Sequence, residues 1–85
     1  MPEIDRLAGL IFAMYFFDNA QHKFPHVHVS FGEYELIINL NTCVEIAGYL
    51  PNKQRKTALA HVSANQKRLL QMWQLAVTGI NPGKL

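Results

Sequence analysis

Residues 26–50, HVHVSFGEYELIINLNTCVEIAGYL, decide the fold. Side chains alternate across an extended chain, so His26, His28 and Ser30 fall on one face and Val27, Val29 and Phe31 on the other. Gly32-Glu33 is a tight connection, and Tyr34, Leu36, Ile38 and Leu40 give the next strand an apolar face. Asn39 to Thr42 reads as a second turn, leading to Val44, Ile46 and Leu50 on a fourth strand. Upstream, residues 7–17 (LAGLIFAMYFF) are apolar at odd and even positions alike, which predicts one strand buried on both faces. Between them DNAQHKFP is a loop whose proline holds the chain extended into the histidines.

At Pro51 the period changes. Leu59, Val62, Leu69, Leu70, Trp73, Ala76 and Val77 share a sector of about 120° at helical spacing, interrupted only by Gln66. That phase predicts one long helix over roughly 52–78, with Asn52 as N-cap, Gly79 as stop and Trp73 against the sheet. A break at Ser63–Asn65 is the competing arrangement. The expected fold is therefore α+β, a four-stranded antiparallel meander under one C-terminal helix (β-β-β-β-α), in a single domain over 1–85.

Composition narrows the function classes. A net charge of +2 is too slight to imply nucleic acid by itself. One cysteine, Cys43, cannot make an internal disulfide, and MPEIDR lacks the basic lead-in of a signal peptide. The apolar run at 7–17 is too short for a membrane-spanning helix. The expectation is a cytoplasmic protein. Its two-sided apolar first strand, with Met72 and Leu75 on the back of the helix, predicts a homodimer or a small protein partner.

Three of the four histidines, His22, His26 and His28, lie within seven residues. Three chemistries fit them. As i, i+2 neighbours on a strand, His26 and His28 could converge on a divalent metal with His22 as third ligand and an open position left over. Without a metal or any other cofactor, a neutral and a protonated imidazole could move protons on RNA. Lys23, Arg6 or Lys53 would then hold a phosphate and Tyr15 or Tyr34 would assist. The third option is structural, with the rings bonded to turn carbonyls on the open sheet face. Lys53, Arg55 and Lys56 form a basic cluster where phosphate or nucleic acid could bind, although a charge run on a helix is usually a solvated face. Cys43 has no base beside it to activate the thiol.

The order of these elements has a further resemblance. MPEI with Arg6, MYF before Asp18, His22–Pro25–His26–His28, Gly32–Tyr34–Glu35, Gly48–Leu50–Pro51 and the terminal LL–W–LA–G resemble a family of small bacterial proteins, the domain-of-unknown-function family 4160. The resemblance spans nearly the whole chain and assigns no reaction. It implies a partner, because such proteins are often encoded beside another small domain in what looks like a toxin–antitoxin pair. The chain departs from the family pattern at Phe24, where proline is common, at Phe31, where tyrosine is common, and at Asn65, where a helix histidine is often found. His61, one turn earlier, is the candidate to replace that histidine. On this reading the protein is a binding component of a regulatory pair, and whether it is also an enzyme stays open.

Overall fold

The computed structural model describes residues 3–15 and 24–85. Strands β1 (Glu3–Leu7), β2 (Leu10–Ala13), β3 (His26–Phe31), β4 (Tyr34–Asn39) and β5 (Val44–Tyr49) precede helices α1 (Asn52–Ala64) and α2 (Gln66–Val77). The strands form one antiparallel sheet in the order β1-β2-β3-β4-β5. The α+β class and the meander follow the sequence pattern. The strand count and the single helix do not.

The fifth strand comes from a hairpin hidden in the apolar run. Leu7 pairs with Leu10 across Ala8 (φ 51°) and Gly9 (φ 81°). Two positive-φ residues in a two-residue loop suit the twist of a hairpin. Gly9 adopts that conformation freely, whereas Ala8 bears a steric cost of about 1 kcal/mol. The run is thus split between β1 and β2, and β1 begins earlier, at Glu3. Phe16 and Phe17 lie outside the described residues.

The helix is interrupted at one residue. Asn65 (φ −117°, ψ 18°) directs its backbone N–H to the carbonyls of both His61 and Val62 at 3.2 Å, and its side-chain amide donates to His61 O at 2.9 Å. A side chain that competes for backbone acceptors opens the helical ladder locally. Gln66 then donates to Leu40 O and Asn41 O at 2.9 and 3.0 Å, drawing α2 toward the end of the sheet. The one polar gap in the predicted stripe, Gln66, directly follows the hinge at Asn65. At the other end, Asn52 is the first helical residue, with Pro51 in the cap position, and Gly79 (φ 83°) follows the last turn as expected.

Phe12, Val29 and Leu36 align across β2, β3 and β4, with Val27 and Ile38 beside them. Ala58, Val62, Leu69, Met72, Trp73 and Ala76 close this core from the helices, Trp73 being only 3% exposed. Met72 is therefore buried, which corrects its placement on an outer helix face, whereas Leu75 is exposed. The stripe is rotated toward Ala58 and Ala76, whose small side chains let the helices approach, while flexible Met72 fills the remaining space.

Tyr34, read as part of the apolar face of its strand, is exposed, as are Val44 and Ile46 on β5. β5 carries an extra residue, since Ile38 pairs with Glu45 but Ile37 pairs with Ala47. This bulge shifts the alternation, so Glu45 turns toward α1 and meets Arg55 at 2.6 Å, and Val44 faces out with Asn39. Tyr34, at the start of β4, packs on Tyr49 with ring centroids 5.5 Å apart. The C-terminal tail meets β1 at Lys84 and Leu85, where Leu85 N–H donates to Ile4 O at 2.8 Å. No helix among the described residues is long and apolar enough to cross a membrane.

Candidate functional site

β3 begins at a pinned position. Leu40 N–H donates to Pro25 O at 2.9 Å, fixing the entry to β3 against the end of β4. His26 and His28 then share a face with Ser30, and their ring centroids are 5.3 Å apart. Across the ladders His28 stands beside Ala13 on β2 and Ile37 on β4, and Ser30 pairs with Glu35.

The two histidines differ in environment. His26 is fully buried. Its Nδ1 lies 2.9 Å from Phe24 O; a carbonyl can only accept, so that nitrogen carries the proton. Its ring packs against Trp73 at 4.9 Å and Phe24 at 6.0 Å. His26 is thus an integral part of the core at the sheet end that α2 covers.

His28 lies nearer the surface. Tyr15, two residues beyond Ala13, meets it edge-on with centroids 4.7 Å apart, and its Nδ1 is 3.5 Å from Glu35 Oε2. A phenol, an imidazole and a carboxylate therefore converge beside β3. Burial, and secondarily the charge of Glu35, push the Tyr15 phenol above its usual ionisation range. The phenol is held as a neutral donor beside the ring.

His22 and Lys23 lie outside the described residues. Among the described residues no group of three histidine, cysteine or acidic side chains is placed to hold a metal. Arg6, a candidate phosphate ligand, is engaged by Glu3 through contacts of 2.6 and 3.0 Å, which hold the carboxyl below its ordinary value and the guanidinium above its own. In the basic cluster Arg55 is tied to Glu45, while Lys53 and Lys56 are exposed. Cys43 occupies the β4–β5 turn at φ 57°, with its N–H donating to Asn39 O at 2.7 Å.

A second histidine–carboxylate pair has no counterpart in the sequence reading. His61 Nε2 lies 2.6 Å from Asp5 Oδ2, and its ring packs on Phe12 at 4.9 Å. The pair joins β1 to α1 across 56 positions, and Asp5 falls in a stretch with no strand signature of its own. His61 thus serves the β1–α1 joint, and Asn65 serves the hinge.

A family model described as "Domain of unknown function (DUF4160)" matches residues 9–74. The chain belongs to this family. The DUF4160 match runs from the first hairpin into α2 and takes in Tyr15, His26, His28, Glu35 and His61, but leaves out Asp5. No curated protein and no solved structure matches the chain.

Proposed function

We propose that this DUF4160 protein is the protein-binding component of a two-protein regulatory pair of the toxin–antitoxin kind, and that it meets its partner at the outer end of the sheet. The observation that carries this reading is a group of large apolar side chains left open on and beside β5: Tyr49 (62% exposed), Val44 (55%), Ile46 (42%) and Tyr34 (38%). Solvent-facing aromatic and β-branched side chains grouped in this way suit a binding hot spot, in which tyrosine is over-represented. Glu33 and Glu35 lie at the same end, so the favoured partner is a small protein with an apolar patch rimmed by basic residues. Face-to-face docking is favoured over strand addition, because the bulge and the positive φ of Gly48 bend the outer strand away from a straight ladder.

The test uses the product of the adjacent small gene, co-expressed and purified with this chain. Tyr49→Asp and Val44→Asp, both exposed and therefore tolerated by the fold, should each weaken the complex at least tenfold, with unchanged circular dichroism. A complex indifferent to both substitutions, or a chain that sediments as a monomer and ignores its neighbour's product, refutes the reading.

The convergence of Tyr15, His28 and Glu35 favours one second reading, acid–base chemistry on RNA with His28 as the proton carrier. His26 would then support the site from the core. On that reading expression of the chain alone slows growth and degrades RNA, and His28→Ala abolishes both effects. Metal lost together with His26 and His28 would instead promote the metal reading. Intact RNA with the wild-type chain removes the nuclease reading.

A further inference from the structure

Charge is divided along this chain far more sharply than its net value suggests. All six acidic residues lie at or before Glu45, and only Arg6 and Lys23 offset them there. From Asn52 onward there are six cations and no acid. The sheet half therefore carries −4 and the helical half +6.

Two of the six cations are engaged: Arg55 with Glu45, and Lys84, whose ammonium donates to Glu3 O at 2.9 Å. Lys53, Lys56, Lys67 and Arg68 are exposed, and none forms an ion pair with a described residue. At about 100° per residue these four, with Gln71 and Gln74, fall in one sector of roughly 120°, opposite the buried stripe. Across the hinge Asn65 N–H still reaches His61 O and Leu69 N–H reaches Asn65 O, both at i−4 spacing, and both helices bury their opposite side against the sheet.

We propose that this helical stripe binds the phosphate backbone of duplex DNA. Between the two cation pairs lie Ala60, Ser63 and Ala64, all exposed and small enough for close approach. Apart from Leu75 at its far end, the stripe offers no large apolar anchor for an acidic polypeptide, whereas phosphates need only cations and amide donors. It has no exposed aromatic ring on which unpaired bases could stack, since Trp73 is buried. The pairs Lys53/Lys56 and Lys67/Arg68 are separated by roughly 20 Å of helix, enough to bridge the roughly 12 Å major groove of B-form DNA from one phosphate strand to the other. The deep, narrow major groove of an RNA duplex does not match that spacing. The proposal rests on the helical cations and stands independently of the partner reading above.

The test is fluorescence anisotropy of the full chain with a labelled 20-base-pair DNA duplex of mixed sequence. Four phosphate contacts predict an affinity loss of about 100-fold between 50 and 200 mM salt. Lys53→Glu/Lys56→Glu and Lys67→Glu/Arg68→Glu should each weaken binding at least tenfold at 50 mM salt. Arg6→Glu, which alters charge at the sheet edge, should change it less than threefold. The proposal is overturned by any of four results: no binding by folded protein at 50 mM salt, an equal effect of Arg6→Glu, tighter binding of an RNA duplex of the same sequence, or tighter binding of polyglutamate.

Discussion

Gly48→Ala tests whether the β4–β5 register depends on one backbone conformation. Gly48 sits opposite Leu36 at φ +88°, just beyond the bulge that re-phases β5. A Cβ built there would overlap Glu35 O and lie 3.0 Å from Glu35 C and 3.2 Å from Leu36 Cα. The left-handed conformation costs an L-residue about 1–2 kcal/mol. The obstacle is backbone on the central side of the ladder, so β4 and β5 must separate, adding about 1–3 kcal/mol as in an overpacked core. The expected loss is about 2–5 kcal/mol, against a total stability of about 4–13 kcal/mol for a chain this size. Urea unfolding followed by circular dichroism reads this directly; with a slope near 1 kcal/mol per molar, the midpoint should fall by at least about 2 M. Gly32→Ala is the control, since that glycine has φ +57° with nothing within 4 Å of the added carbon. It should lose only about 1 kcal/mol, the conformational part alone. If the two substitutions cost the same, close strand approach at Gly48 is not what fixes the register.

Three further outcomes follow from the side-chain contacts. Because Tyr15 ionises above its ordinary range, the fold favours its protonated form. That contribution is complete below about pH 10 and is lost as the pH rises through the raised value; Tyr15→Phe should remove this alkaline loss, and an ultraviolet titration placing Tyr15 at or below the ordinary phenol range would contradict it. Asp5→Asn removes the charge from its bond to His61 and should cost about 1 kcal/mol, with a Asp5→Ala/His61→Ala double-mutant cycle giving a positive coupling; zero coupling would mean the β1–α1 joint rests on packing alone. His26→Ala empties a fully buried site against Trp73 and should cost about 2–4 kcal/mol and shift tryptophan emission; an unchanged spectrum would contradict the contact.

The meander was legible because β3 and β4 are plain in their alternation, and because Pro51 separates two periods. What escaped is local and has local causes. Ala8-Gly9 is not a common hairpin dipeptide, so the turn within the apolar run left no familiar mark. The β5 bulge moved Val44 and Ile46 outward, and a bulge is a pairing event that one strand's pattern does not announce. The hinge was half visible: Gln66 broke the stripe, and Ser63–Asn65 marked the weak point, but the draw of Leu40 O and Asn41 O on Gln66 is a tertiary contact. At the site, the i, i+2 spacing put His26 and His28 on one face. It did not show that His26 is packed into the core while His28, also buried, meets Tyr15 and Glu35, because Trp73 and Phe24 decide that difference. Glu35 and Tyr15 joined His28 only through the register of three strands, and Asp5 joined His61 across almost the whole chain.

The tail beside β1 sets an order of events for a chain that emerges N-terminus first. β3–β4 and β4–β5 pair strands that are close in sequence, so these hairpins can zip as they appear. β1 can pair with β2 early as well, yet its other side stays open until much later. Asp5 waits for His61, and Ile4 O waits for the N–H of Leu85, 81 positions on. Throughout that interval one flank of a growing sheet can recruit a neighbouring chain as readily as its own tail. Crowded synthesis on one message is therefore the condition under which this small protein is most exposed to joining the wrong strand.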